Sequence, residues 1–149
     1  MFEIEVKNFD EIRITTKDKT ININVAQSAI EAGLRVGTLK GAGEYEIGDS
    51  TIVGIALGEG GVMYRASIEG IKLGIVSGNA KAEELDELGP IDILATNTAK
   101  TVSIVEPKIL IPIGNMDFSE VKAEVKVEKK LKIKKASDLP AVLTIYKLD

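Results

Sequence analysis

The chain has 149 residues, 44% hydrophobic and 28% charged, with a net charge of −4, no histidine and no cysteine. That length can bury a core without metal or disulfide, and the acidic balance argues against a general nucleic-acid surface. Lacking histidine and cysteine, the chain has no imidazole base, no thiolate nucleophile and no ordinary zinc ligand set.

MFEIEVKNFDEIRI at the N-terminus is too charged for a signal peptide, and no apolar run reaches membrane-spanning length. The expectation is a cytoplasmic protein with no membrane association. Aromatic residues make up only 4% of the chain, so Ile, Val, Leu and Ala must build the core.

Strand signals come first. Apolar residues alternate with charges from Glu3 to Val6, Ile12 and Ile14 continue the period, and KDKT (17–20) supplies a polar turn. TININV (20–25) then puts Ile21, Ile23 and Val25 on one face, which predicts an antiparallel meander with one buried face. AQSAIEAGL (26–34) fits a short helix, with Ala26, Ala29 and Ile30 on one side and Gly33 as a stop. From Gly41, YEI (45–47), TIVGIAL (51–57), VMYRASI (62–68) and IKLGIV (71–76) form a run of hairpins separated by glycine turns.

SGNAKAEELDELG (77–89) reads as a strand-to-helix turn and a helix that buries Leu85 and Leu88. IDILAT (91–96) and KILIPI (108–113) are apolar runs typical of strands buried on both faces. NTAKTVSIVEP between them has room for about two helical turns, close to the shortest parallel crossover. FSEVKAEVKV (118–127) fits both periods, and the reading favoured is a short helix. KKLKIKK (129–135) and VLTIYKL (142–148) are strands, the first with the lysine pattern of a protected edge. No linker or repeat divides residues 1–149, which predicts one α+β or α/β-like domain.

Each candidate for chemistry meets a structural alternative. Ser77 follows a buried strand on a glycine turn, but G-x-S-x-G is absent and no histidine can activate the hydroxyl; a tight turn with Asn79 capping the helix explains the same residues. Gly41-Ala42-Gly43 leads into acidic Glu44 and Glu46, a poor phosphate cradle and a good strand opening. Asp10, Asp49, Asp92 and Asp117 lie near turns or strand ends without a calcium-loop spacing.

Several stretches, taken in order, resemble small bacterial hydrolases of the metallo-β-lactamase fold. They are TKDKTI (16–21), GAGEYEI (41–47), EGIKLGIVSGN (69–79), LDELGPIDIL (85–94), EPKILIPIG (106–114) and KLKIKKASDLP (130–140). The resemblance implies a two-sheet β-sandwich with outer helices, here truncated, and a zinc pair at one edge whose bound hydroxide attacks esters, amides or phosphodiesters. Its ligands come from an H-x-H-x-D-H loop, a later histidine, an aspartate after a strand and a final histidine after another strand. By this resemblance the histidine loop is deleted here, the chain running from TININV through AQSAIEAGLRVGTL to GAGEYEI; the aspartate position matches Asn79, and the final histidine falls on Gly114.

The expectation is therefore a metal-free, cofactor-free and inactive relative acting by binding or assembly. Ser77, Gly78, Asn79, Gly114 and Asn115 would form its vestigial cleft, with no catalytic residue. A hydrolase with a rebuilt site, or a small-molecule binder in that cleft, is the alternative. The expected partner is a second copy, a homodimer, or another protein: the shortened crossover should leave part of an apolar sheet face open near Ile104.

Overall fold

The computed structural model describes residues 1–8, 10–32, 38–78 and 80–149. The chain opens with β1 (Phe2–Lys7), β2 (Glu11–Thr16), β3 (Thr20–Asn24), β4 (Ala29–Ala32) and β5 (Thr38–Lys40). Next come β6 (Gly43–Ile47), β7 (Ser50–Ala56), β8 (Val62–Ile68), β9 (Ile71–Val76) and α1 (Ala82–Asp86). β10 (Ile93–Thr96), α2 (Ala99–Val105) and β11 (Ile109–Pro112) follow, and β12 (Glu124–Glu128), β13 (Leu131–Ile133) and β14 (Thr144–Leu148) complete the chain.

Two sheets form. The six-stranded sheet runs β13-β1-β2-β3-β4-β5 and is antiparallel throughout. The eight-stranded sheet runs β12-β14-β11-β10-β9-β8-β7-β6, antiparallel from β6 to β9 and parallel from β9 to β12. This is the expected α+β sandwich of two sheets with outer helices.

Period-two alternation explains the smaller sheet. Ile4 lies opposite Ile14, and Ile14 opposite Ile21, so one row of isoleucines points inward. Asn22 and Arg13 point outward on neighbouring strands, and Arg13 Nε donates to Asn22 Oδ1 at 3.0 Å. The inward row packs against Ile52, Tyr64, Ala66, Leu73, Ile75, Ile93 and Ile111 of the larger sheet. A second apolar layer lies on that sheet's outer face, where α1 brings Leu85 and α2 brings Val102 over Leu94, Leu110 and Ile145.

Three expectations need correction. Residues 26–32 do not form a helix. Asn24 Oδ1 accepts the Gln27 N–H at 3.0 Å, Ser28 takes φ of 51°, and the chain reverses into β4. An isolated short helix is marginal, whereas this turn sets Ile30 opposite Ile23 and buries it fully. Gly33 and Leu34, the end of the predicted helix, lie outside the described residues.

The second correction concerns residues 118–127, a turn and then a strand. Asp117 Oδ1 accepts the Ser119 N–H, and Val121 N–H donates to the Phe118 carbonyl, closing a single turn. The β-branched Val125 and Val127 then extend along β14. The third correction follows from this turn: β10 and β11 are not left open. Leu94 and Leu110 are fully buried, because Met116, Phe118, Val121 and Ala123 cover the outer face beside the two short helices. The irregular 116–123 segment does the shielding that the shortened crossover cannot.

KKLKIKK meets its expectation as an edge. β13 buries Leu131 and Ile133 against β1, and the lysines between and around them are exposed.

Within the inter-sheet layer Tyr64 is the one phenol fully buried, and its hydroxyl has no hydrogen-bond partner among the described residues. Burial, with a smaller contribution from Tyr45, pushes its ionisation up to about 12. A folded-state value above the unfolded one means that this contribution is complete below pH 10 and is lost as pH rises toward 12.

Two measurements check this account. Ile30→Ala should destabilise the protein by about 2–5 kcal/mol in urea denaturation, because a strand-borne core side chain leaves a cavity. An exposed-residue effect below about 0.5 kcal/mol would contradict the strand assignment. Tyr64→Phe should be neutral or stabilising at pH 8, since it removes an unsatisfied hydroxyl. Between pH 10 and 12 the wild type should lose on the order of 2 kcal/mol more than the variant, read from denaturation midpoints.

Candidate functional site at the ends of the parallel strands

The parallel registers fix where the chain can place chemistry. Leu73, Ile93 and Ile109 stand side by side, and so do Val76, Thr96 and Pro112, so β9, β10 and β11 end level with one another. Each strand then delivers a turn to the same rim: Ser77-Gly78, Asn97-Thr98 and Ile113-Gly114. In α/β sheets the carboxyl ends of parallel strands are the usual place for ligands.

Asn97 organises this rim. Its Oδ1 accepts the Gly78 N–H at 3.1 Å, and its Nδ2 lies 3.5 Å from Ser77 Oγ as donor. On its other side, a Cβ added to Gly114 would sit 3.9 Å from the Asn97 Cβ. Ser77, Gly78 and Gly114 are thus brought around one amide. Gly114 has φ of 60° and Gly78 has φ of 86°, so both turns use backbone conformations that side chains disfavour. Asn115 is exposed on the turn after Gly114, and Asn79 lies outside the described residues.

A row of threonines continues the rim behind Asn97. Thr96 is fully buried and its Oγ1 accepts the Thr98 N–H at 3.4 Å; the Thr98 and Thr101 hydroxyls lie 2.6 Å apart. Concave surface flanks the rim on both sides. A hollow of about 590 Å³ involves Gly78, Lys81, Thr98 and Thr101, and another of about 370 Å³ involves Ile113, Gly114, Phe118 and Asp149.

The helix after Ser77-Gly78 is started differently from the expectation. Lys81, not Asn79, is the residue before α1, and its N–H is accepted by Glu84 Oε1 at 3.0 Å. The other Glu84 oxygen accepts the Gly58 N–H at 2.7 Å, tying the loop after β7 to α1. The Lys81 and Gly58 backbone bonds hold the Glu84 carboxyl below its ordinary range, so it stays an anion with a structural task.

The aspartates do not converge. Asp49 pairs with Lys19 at 2.6 Å in the β6–β7 turn, and that hydrogen bond lowers its ionisation. Asp92 Oδ2 accepts the Lys72 N–H at 2.9 Å where β10 begins, away from the rim. Asp117 is lowered by its bonds from Ser119 and closes the turn described above. Asp10 sits between β1 and β2. Among the described residues no three His, Cys, Asp or Glu side chains gather closely enough to hold a metal. Gly41-Ala42-Gly43 is a strand-opening turn whose Gly41 and Ala42 carbonyls face the Tyr45 hydroxyl, at 3.1 and 3.3 Å.

Asn97 is the residue that the sequence reading did not single out. Its signal was available by analogy, because Asn97-Thr98 follows IDILAT just as Ser77-Gly78 follows IKLGIV. The rim side chains Ser77, Asn97, Thr98 and Asn115 are therefore neutral hydroxyls and amides that donate and accept hydrogen bonds, and the charged groups nearby, Lys81 and Asp149 among them, line the flanking hollows. Zinc is held by imidazole, thiolate or carboxylate, and these rim residues do not fit it.

No protein-family model matches the chain, and no curated protein matches it. Among solved structures, it is similar to the crystal structure of a proposed Zn-dependent hydrolase of the metallo-β-lactamase superfamily from Thermotoga maritima. That likeness has a TM-score of 0.70 at 15% identity and covers 99% of this chain and 100% of the other. Identity this low establishes architecture alone, and the architecture is plain: the chain has a metallo-β-lactamase-like fold.

Proposed function

We propose that this protein is a metal-free, catalytically inactive version of the metallo-β-lactamase-like fold that works by binding or assembly. The observation that carries this reading is chemical. The chain has no histidine and no cysteine anywhere, and its strand-end rim is built from Ser77, Gly78, Asn97 and Gly114. A hydrolytic zinc centre needs deprotonated or neutral-imidazole ligands to hold the metal and depress the ionisation of its water. Carboxylates are the remaining candidates: Asp49, Asp92 and Asp117 are engaged at separate turns, and among the described residues no three carboxylates gather closely enough to hold a metal.

Serine chemistry finds no better support. The Ser77 hydroxyl faces the neutral amide of Asn97, which cannot remove a proton. The same amide occupies the centre of the rim and rigidifies it, which suits a preformed surface that contacts a partner.

Metal analysis tests the reading directly. Protein purified without an affinity tag should hold well under one zinc per chain after dialysis, and chelator should leave its melting temperature unchanged. Stoichiometric zinc that survives dialysis would overturn the proposal. Gly114→His should likewise recruit no zinc and confer no phosphodiester or ester hydrolysis. It should instead cost about 1 kcal/mol of stability, because a side chain is forced to positive φ. Zinc-dependent turnover in that variant would reveal a partial site and defeat the reading.

A further inference from the structure

The outermost strand of the larger sheet is exposed along its whole length. Among the described residues β12 has β14 as its sole strand neighbour, and all five of its residues are exposed, Val125 at 44% and Val127 at 61%. In a parallel ladder, alternate residues direct both backbone groups to the same neighbour. The Asp149 N–H donates to the Glu128 carbonyl at 3.0 Å, and Glu128 stands opposite Leu148. Glu124, Lys126 and Glu128 therefore spend their backbone groups on β14, and Val125 and Val127 turn theirs to the open edge. The side chains are sorted as well: Lys126 lies over the Tyr146 ring, 5.8 Å from its centre, which leaves the two valines together on the opposite face. Lys122, Glu124, Lys126 and Glu128 make no ion pair with any described residue.

We propose that a second copy of this chain docks on β12, antiparallel, about a two-fold axis through Val125. The occupant is argued from charge. Residues 122–128 read Lys-Ala-Glu-Val-Lys-Val-Glu, which is complementary to its own reverse. In this register Lys122 faces the mate's Glu128, Ala123 faces Val127, Glu124 faces Lys126 and Val125 faces Val125. Every charge in the stretch gains an opposite one, and every apolar residue meets an apolar one.

Neighbouring registers lack this property. An axis at Lys126 sets Lys126 against itself and Glu124 against Glu128, and an axis at Val127 sets Val125 against Lys129. The favoured register also suits the backbone. Val125 and its mate form a hydrogen-bonded pair, which supplies two ladder bonds at the axis. Glu124 and the mate's Lys126 fall at non-hydrogen-bonded positions, where side chains approach most closely.

A lysine on an edge strand ordinarily blocks pairing, as those of β13 do. Here the incoming strand answers Lys126 with a glutamate. The two larger sheets would become one continuous sheet, with the valines of both copies clustered on one face. This assigns a partner to the assembly reading above, but it rests on the strand edge and not on the absence of zinc chemistry. Zinc analysis can therefore go against one while sedimentation upholds the other.

Sedimentation velocity on the full chain across the micromolar range tests the proposal, with circular dichroism to confirm folding of each variant. The wild type should sediment as a dimer. Val125→Pro should weaken association at least tenfold without unfolding the chain, because the N–H it removes points off the sheet. Lys126→Glu sets like charges opposite each other twice and should weaken the dimer by about tenfold. Adding Glu124→Lys to that variant restores the opposite-sign pairs and should restore wild-type affinity, which the loss of the Tyr146 contact alone would not allow. Should Val125→Pro fail to fold, the charge exchange decides the question. A wild type that stays monomeric overturns the proposal, as does a dimer indifferent to these changes and broken instead by Ile104→Glu on α2.

Discussion

Everything in this molecule hangs on the layer of branched aliphatic side chains between its two sheets. With few aromatic rings to spread, the chain uses isoleucine repeatedly: Ile4, Ile12, Ile14, Ile21, Ile23 and Ile30 from one side, Ile52, Ile75, Ile93 and Ile111 from the other. β-branched side chains stiffen strands and stack well on a pleated surface, so the residue that makes the strands also makes the core. The parallel strands need a second, outer layer because both their faces are apolar. α1, α2 and the turn-rich 116–123 segment supply it.

That double burial holds β9, β10 and β11 in register and so sets their turns level. The rim is thus a product of packing, and it survives whatever residues occupy it. Asn97 shows how such a rim can be kept rigid without charge, by binding the Gly78 N–H and reaching Ser77 with the same side chain. The positive φ of Gly114 belongs to the same geometry: the chain turns sharply away just after β11, whether or not a ligand is offered there.

The strands were legible because alternation is a direct imprint of half-burial, and the paired apolar runs IDILAT and KILIPI were legible because burial on both faces suppresses alternation. AQSAIEAGL misled because its alanines and Ile30 also satisfy a helical period, and the deciding feature is a side-chain bond from Asn24 that composition does not reveal. FSEVKAEVKV satisfied both periods, and only the vacancy beside β14 makes the strand the better choice. The shielding role of Met116 and Phe118 was invisible for a related reason: irregular segments have no period to read. At the rim, Ser77, Gly78 and Gly114 could be placed by their positions after strands. Asn97 escaped notice because a lone asparagine after a strand looks like any turn residue until its two partners, 19 and 20 residues away, are in view.

The path of the last three strands has a consequence for how the molecule assembles itself. β12 belongs to the larger sheet, β13 crosses to the smaller one, and β14 returns to lie between β11 and β12. β12 thus reaches the rest of its sheet only through a strand that comes later in the chain, and it has no ladder to join before residues 144–148 have docked. β13, meanwhile, closes on β1, with Ile133 opposite Phe2, across nearly the whole chain. Loop closure of that span is entropically slow, and contacts so distant in sequence are made late. The hairpins from β6 to β9 pair neighbours in sequence, whereas residues 124–148 are, among the described residues, the one stretch that contributes strands to both sheets.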